Sequence, residues 1–241
     1  MDTMTMEQQQ MLMKAFAERA KAEKQEKVER YRHLNKYVRH HQILFVGSSL
    51  MEQFPIYELL LDYALPYTIY NRGIGGTTTF DLMENMDACV YDLKPDHVFI
   101  NIGTNDMNLP DYTEEGLIER YRIILKGIQE HLSTAKIYLL AYYPVNPMAA
   151  RGKPWAEEAL RIRTNERVNS ANKAVRGLAE EMCLRYLDLN DGIKDETGNL
   201  KAEYTIEGMH MYADGYVPVL KALLPVLKEI KEPGRPAEKG Q

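Results

Sequence analysis

From residue 42 onward the chain alternates short apolar runs with helical stretches, and that alternation restricts the fold more than any other feature. The runs are Ile43-Leu44-Phe45-Val46, Tyr67-Thr68-Ile69-Tyr70, His97-Val98-Phe99-Ile100-Asn101-Ile102, Lys136-Ile137-Tyr138-Leu139-Leu140-Ala141-Tyr142 and Arg185-Tyr186-Leu187-Asp188-Leu189. Runs apolar on both faces suit parallel strands covered on both sides. Between them, apolar residues recur at helical spacing over about 79–92, 113–132, 164–183 and 213–230. Repeated strand–helix units imply right-handed crossovers and one doubly wound α/β sheet, with the ligand site at the carboxyl ends of the strands.

Residues 1–40 have a different character. They hold Met, Gln, Lys, Glu and Ala but no Gly or Pro, a composition that favours helix. Leu12, Phe16, Ala20, Val28, Tyr31, Leu34 and Val38 form a thin apolar stripe. It fits either a solvated helical arm on the domain or a helix for a partner, including a second copy in a homodimer. The expected divisions are therefore a helical arm over 1–40, a catalytic-type domain over 41–231 and a disordered tail over 232–241.

Among 241 residues and a net charge of −5, no basic stripe favours a nucleic-acid partner. No apolar run approaches the roughly 20 residues of a membrane span. The N-terminus lacks the pattern of a signal peptide, so a cytoplasmic protein is expected. Cys89 and Cys183 read as reduced helix residues, and two cysteines make no disulfide framework. His33, His40 and His41 show no metal-ligand pattern and read as solvated, whereas His97 opens a strand and His131 ends a helix.

Four separated segments carry chemistry. Gly47-Ser48-Ser49-Leu50 follows the first strand. A serine at a strand-to-helix turn meets unpaired backbone N–H groups and partial positive charge, which favour developing alkoxide character. Ser48 and Ser49 also read as simple N-caps. Met51 breaks the Gly-x-Ser-x-Gly elbow of α/β-hydrolases. Gly73-Ile74-Gly75-Gly76-Thr77-Thr78 follows the second strand and fails the dinucleotide pattern at its last position. It is either an ordinary βα turn or a loop whose Gly76 N–H meets an oxyanion. In Gly103-Thr104-Asn105-Asp106 the Asn105 amide is either a neutral oxyanion donor or an Asx-turn residue. Glu207-Gly208-Met209-His210 supplies an imidazole base with an acid three residues earlier. The Pro144–Trp155 stretch either overhangs these groups, with Met148 and Trp155 as candidates to wall a substrate pocket, or is a plain surface loop.

Taken together, these blocks resemble those of the SGNH hydrolases, also called GDSL-type esterases, over about Ile43 to Leu224. The subgroup nearest in pattern is that of acylhydrolases similar to the catalytic subunits of platelet-activating-factor acetylhydrolase. The resemblance rests on Asn71-Arg72-Gly73-Ile74-Gly75-Gly76-Thr77-Thr78, on Gly103-Thr104-Asn105-Asp106, and on Glu196-Thr197-Gly198-Asn199-Leu200 followed by Tyr204 to His210. It implies a flavodoxin-like three-layer sandwich of strand order 2-1-3-4-5 and an acyl-serine intermediate, with no metal or cofactor. It also implies Ser49 as nucleophile, His210 as base, Glu207 as orienting acid, and the Ser49 N–H, Gly76 N–H and Asn105 side chain as oxyanion hole. The family has Asp where this chain has Ser48, and serine is expected to cap the following turn in its place. The family also has Asp in place of Glu207, so either the longer glutamate or a backbone carbonyl orients His210. The expected substrate is a small-molecule ester with a short, acetyl-like acyl group. A non-catalytic member binding an acylated sugar, and an acyltransferase or thioesterase, are the alternatives.

Overall fold

The strands Ile43–Gly47 (β1), Ile69–Gly73 (β2), His97–Asn101 (β3), Lys136–Leu140 (β4) and Arg185–Leu187 (β5) form one parallel sheet of order β2-β1-β3-β4-β5. They belong to a computed structural model that describes residues 5–230. Gly47 pairs with both Gly73 and Asn101. The carboxyl ends of β2, β1 and β3 are thereby level, and the loops that leave them lie side by side.

Alternation of side chains along each strand splits the core in two. Leu44, Val46, Val98, Ile100, Ile137 and Leu139 share one buried cluster. Against it pack Thr79–Glu84 (α4), Met86–Cys89 (α5), Glu114–His131 (α6) and Asn165–Glu181 (α8). Ile43, Phe45, Ile69, Phe99, Tyr138 and Leu140 share the other cluster. Ser49–Glu52 (α2), Ile56–Asp62 (α3) and Ala213–Glu229 (α9) cover that face. This is the α/β architecture and strand order expected. A third, small cluster of Val145, Ala150, Ala156, Leu160 and Met209 packs Pro154–Ile162 (α7) beneath the loop that carries His210.

The N-terminal helix, Met6–Leu34 (α1), begins at a capping box between Thr5 and Gln8. Its later turns lie on the domain. Val28 is buried, Tyr31 Oη donates to Gly73 O at 2.7 Å, and Lys24 and Lys27 pair with Asp81 and Glu52 at 2.7 and 2.5 Å. The apolar stripe expected along the arm divides accordingly: Leu12, Phe16 and Leu34 are exposed. No described helix is long and apolar enough to cross a membrane.

Several elements differ from the sequence reading. The second strand begins at Ile69 and continues to Gly73, past the apolar run that suggested Tyr67–Tyr70. Arg72 is buried there because Asn35 Oδ1 accepts from its Nε and Nη2 at 3.1 and 3.0 Å. The helix expected over 79–92 breaks at Asn85, whose Nδ2 donates to Asp81 O at 2.8 Å and competes with the helical ladder. Cys183 lies beyond α8 at φ +56°, outside any helix, and both cysteines are free. The last two strands stop short of their apolar runs, at Leu140 and Leu187. The helix α7, with a proline in its first turn, occupies a stretch to which the sequence reading assigned no element. The tail anticipated over 232–241 falls outside the described residues.

Candidate active site

Ser48 ends the turn after β1 in extended conformation, and Ser49 opens α2. The Ser49 Oγ lies 2.9 Å from His210 Nε2, across a sequence separation of 161 residues. His210 Nδ1 lies 2.5 Å from Glu207 Oε1, and the His210 backbone N–H donates to the same oxygen at 3.0 Å. One carboxylate oxygen thus holds both the ring and the main chain of the histidine. The extra methylene of glutamate is absorbed within the turn, and among the described residues no backbone carbonyl is bonded to the ring. Burial of Glu207 opposes its ionisation, but the hydrogen bonds from His210 outweigh that and hold the carboxyl below its usual range.

The loop that bears these groups is tightly braced. Thr205 and Met211 form an antiparallel bridge, and Ile206 N–H and Thr205 Oγ1 both donate to His210 O at 2.8 Å. Gly208 adopts φ +96° and its carbonyl accepts from Asn146 N–H at 2.8 Å. A Cβ at Gly208 would stand 2.4 Å from Asn146 O, so the position demands glycine both conformationally and sterically.

The second loop runs close to Ser49, for a Cβ at Gly75 would stand 3.8 Å from the Ser49 Cβ. Gly76 has φ +72°, with no atom within 4 Å of the place a Cβ would take, so it faces open space. Gly75 N–H is engaged by Glu52 Oε2 at 2.7 Å. Asn105 Nδ2 donates to Thr77 O at 2.9 Å, which ties the third loop to the second. Its Oδ1 accepts from Arg163 Nη2 at 2.9 Å. Beyond it Asp106, fully buried, accepts from Thr79 N–H at 3.0 Å, from Thr79 Oγ1, and from Arg120 Nη2 at 3.2 Å. Among the described residues no acceptor engages the N–H of Ser49, the N–H of Gly76 or the second proton of Asn105 Nδ2. Three unclaimed donors therefore accompany the Ser49–His210 pair.

Of the pocket candidates, Trp155 at the start of α7 has its ring centroid 6.4 Å from that of His210 and is 59% exposed. Met148 is exposed on a turn whose N–H donates to Asn146 Oδ1 at 3.0 Å, and no bond or ring contact links it to Ser49, Glu207 or His210. Ser48 is buried, but its hydroxyl makes no cap and has no hydrogen-bond partner, contrary to the expectation that it would cap the turn. Glu52 and Arg163 were not singled out from the sequence. Glutamate within a helix and arginine at a helix end are ordinary surface residues by type, and only the fold turns them inward.

The GDSL-like lipase/acylhydrolase family model matches residues 45–217. Rat platelet-activating factor acetylhydrolase IB subunit alpha2 is 27% identical over 192 residues, covering 79% of this chain and 77% of its own. A solved Streptococcus pneumonia protein, described provisionally as a platelet activating factor, is 32% identical with a TM-score of 0.80, over 90% of this chain and 98% of that one. A GDSL-like lipase from Bacteroides thetaiotaomicron shares the fold, with a TM-score of 0.69 at 21% identity over 84% of this chain and 97% of that one. The chain belongs to the GDSL-like lipase/acylhydrolase family.

Proposed function

We propose that the protein is a serine esterase that removes a short, acetyl-like acyl group from a small-molecule ester. The observation that carries this reading is the continuous hydrogen-bonded chain from Ser49 Oγ through His210 to Glu207, at 2.9 and 2.5 Å. His210 Nε2 takes the serine proton as Oγ attacks the ester carbonyl, then returns it to the departing alcohol. Glu207 holds the other ring nitrogen and stabilises the imidazolium. The negative charge on the carbonyl oxygen is met by the N–H groups of Ser49 and Gly76 and the free N–H of Asn105. Water then attacks the acyl-serine with His210 as base.

The short-acyl assignment draws on the acetylhydrolase name of the rat relative, which agrees with a two-carbon acyl group. Trp155, exposed beside His210, offers a flat apolar surface to the alcohol portion.

The test is turnover of p-nitrophenyl acetate and labelling by a fluorophosphonate probe, with Ser49→Ala beside the native protein. Removing such a nucleophile costs about 10⁶ in turnover, so the variant should be silent in both assays. Native-level hydrolysis by Ser49→Ala excludes the assignment. Activity that falls steeply from acetyl to octanoyl esters supports the short acyl group, and a rise with chain length refutes it.

A further inference from the structure

We propose that Arg163 is a positioning residue that fixes and polarises the Asn105 amide, so that one N–H of that amide is presented to the oxyanion. The inference rests on the acyl-transfer reading above. It concerns a residue at the far end of α7, immediately after Ile162, whose type and place in the sequence give no sign of such a role.

Arg163 is only 6% exposed. Charged side chains are almost never buried to this degree unless paired. Yet no carboxylate lies within ion-pairing distance of it among the described residues. Its nearest acid, Asp106, is already engaged by Thr79 and Arg120. The buried Nε of Arg163 has no hydrogen-bond partner. Burial draws the guanidinium down to about 10, which still leaves it charged at neutral pH. The side-chain hydrogen bond it does make runs from Nη2 to Asn105 Oδ1 at 2.9 Å. A purely structural arginine satisfies most of its five donors. This one is buried at a cost and directed at a single neutral amide.

The amide explains the arrangement. An asparagine side chain has two faces that differ by a 180° turn, one bearing oxygen and one bearing NH₂. Here Nδ2 donates to Thr77 O at 2.9 Å and Oδ1 accepts from Arg163. The flipped amide would set oxygen against the Thr77 carbonyl and NH₂ against the guanidinium, both repulsive. Arg163 thereby selects the orientation in which a second Nδ2 proton stays free. A cation bound at Oδ1 also draws electron density from the amide nitrogen, which makes the free N–H a stronger donor. Positive charge is thereby brought to bear on the oxyanion through a neutral intermediary.

The experiment is a double-mutant cycle on p-nitrophenyl acetate hydrolysis, with thermal stability measured for each variant. Loss of a single oxyanion donor costs about 10²–10³ in kcat, which sets the expectation for Asn105→Ala. Arg163→Met should lose about 10- to 100-fold in kcat with KM within about twofold, because the donor remains but is no longer held. Arg163→Lys should recover part of that loss. In the Asn105→Ala background, Arg163→Met should cost nothing further, since a residue that acts through another is silent without it. Multiplicative losses in the double variant, or unchanged kcat in Arg163→Met, overturn the inference. If Arg163→Met does not fold, Arg163→Lys runs the same cycle with a smaller loss that must also vanish beside Asn105→Ala. Should the native protein show no esterase activity, the serine reading fails, but this inference still has its own test. The Asn105 side-chain amide protons, identified in a ¹⁵N spectrum by their absence from Asn105→Ala, must shift in Arg163→Lys and Arg163→Met. Unmoved resonances refute the lock whatever the activity.

Discussion

The Glu52 carboxylate receives the Gly75 N–H at 2.7 Å and so joins the helix that begins at Ser49 to the loop that presents Gly76. Its other oxygen takes Lys27 from the N-terminal helix at 2.5 Å. Ser49 and the loop that presents Gly76 are therefore held in register by a residue three positions along the same short helix.

That tether predicts a graded response. Glu52→Ala should lower kcat for p-nitrophenyl acetate by about tenfold, equivalent to about 1.4 kcal/mol in the barrier, as the glycine loop loses its anchor. Lys27→Ala should cost less than about 1 kcal/mol of stability, as expected of a partly exposed ion pair, and leave kcat within about twofold. Equal losses in the two variants would move the tether from Glu52 to the arm.

The Glu207–His210 contact predicts both a rate effect and a pH signature. Glu207→Gln should reduce kcat by about 10²–10⁴, the range seen when such an acid is removed. Its carboxyl is held below the ordinary 4.5 in the folded protein. The unfolded chain therefore binds the extra proton first as the pH falls. The stabilisation is fully present above about pH 4.5 and is lost progressively below it. The difference in Tm between native protein and Glu207→Gln should be largest near pH 6–7 and shrink as the pH drops through 4.5. A constant difference from pH 7 to pH 3 would show that the carboxylate charge contributes nothing.

Ser48 predicts a gain. Its buried hydroxyl has no partner, and burying an unpaired hydroxyl costs about 1–3 kcal/mol. Ser48→Ala should raise stability, read as a higher urea midpoint at an unchanged slope, and leave esterase turnover within about twofold. A fall in activity matching that of Ser49→Ala would reassign the nucleophile.

Gly208 predicts a loss through backbone alone. Alanine at φ +96° is strained by about 1–2 kcal/mol, and its methyl would meet the Asn146 carbonyl. Gly208→Ala should lower Tm by at least about 2 °C and depress kcat by displacing the histidine loop. Native Tm and rate would show that the loop relaxes freely.

Much of this architecture was legible along the chain, and the reasons are local. Ile43–Val46, His97–Asn101 and Lys136–Leu140 announce themselves because both faces of a covered parallel strand must be apolar. Ser49, Gly76, Asn105, Glu207 and His210 were all marked by the residue type that their place in a loop requires. What escaped depended on distant partners. Arg72 looks like the end of a strand until Asn35, 37 residues away, takes its guanidinium. The break at Asn85 turns on a side chain competing with its own helix. Arg163 and Asn105 are 58 residues apart, and neither carries any local mark of the other.

The sequence separation of 161 between Ser49 and His210 carries a consequence for biosynthesis. A growing polypeptide exposes its hydroxyl long before the imidazole has been made. A fragment that ends before the His210 loop lacks one member of the Ser49–His210 pair. On the serine-esterase reading proposed above, turnover therefore requires the fold that closes these two ends of the chain on each other, and the reaction doubles as a report on completed folding.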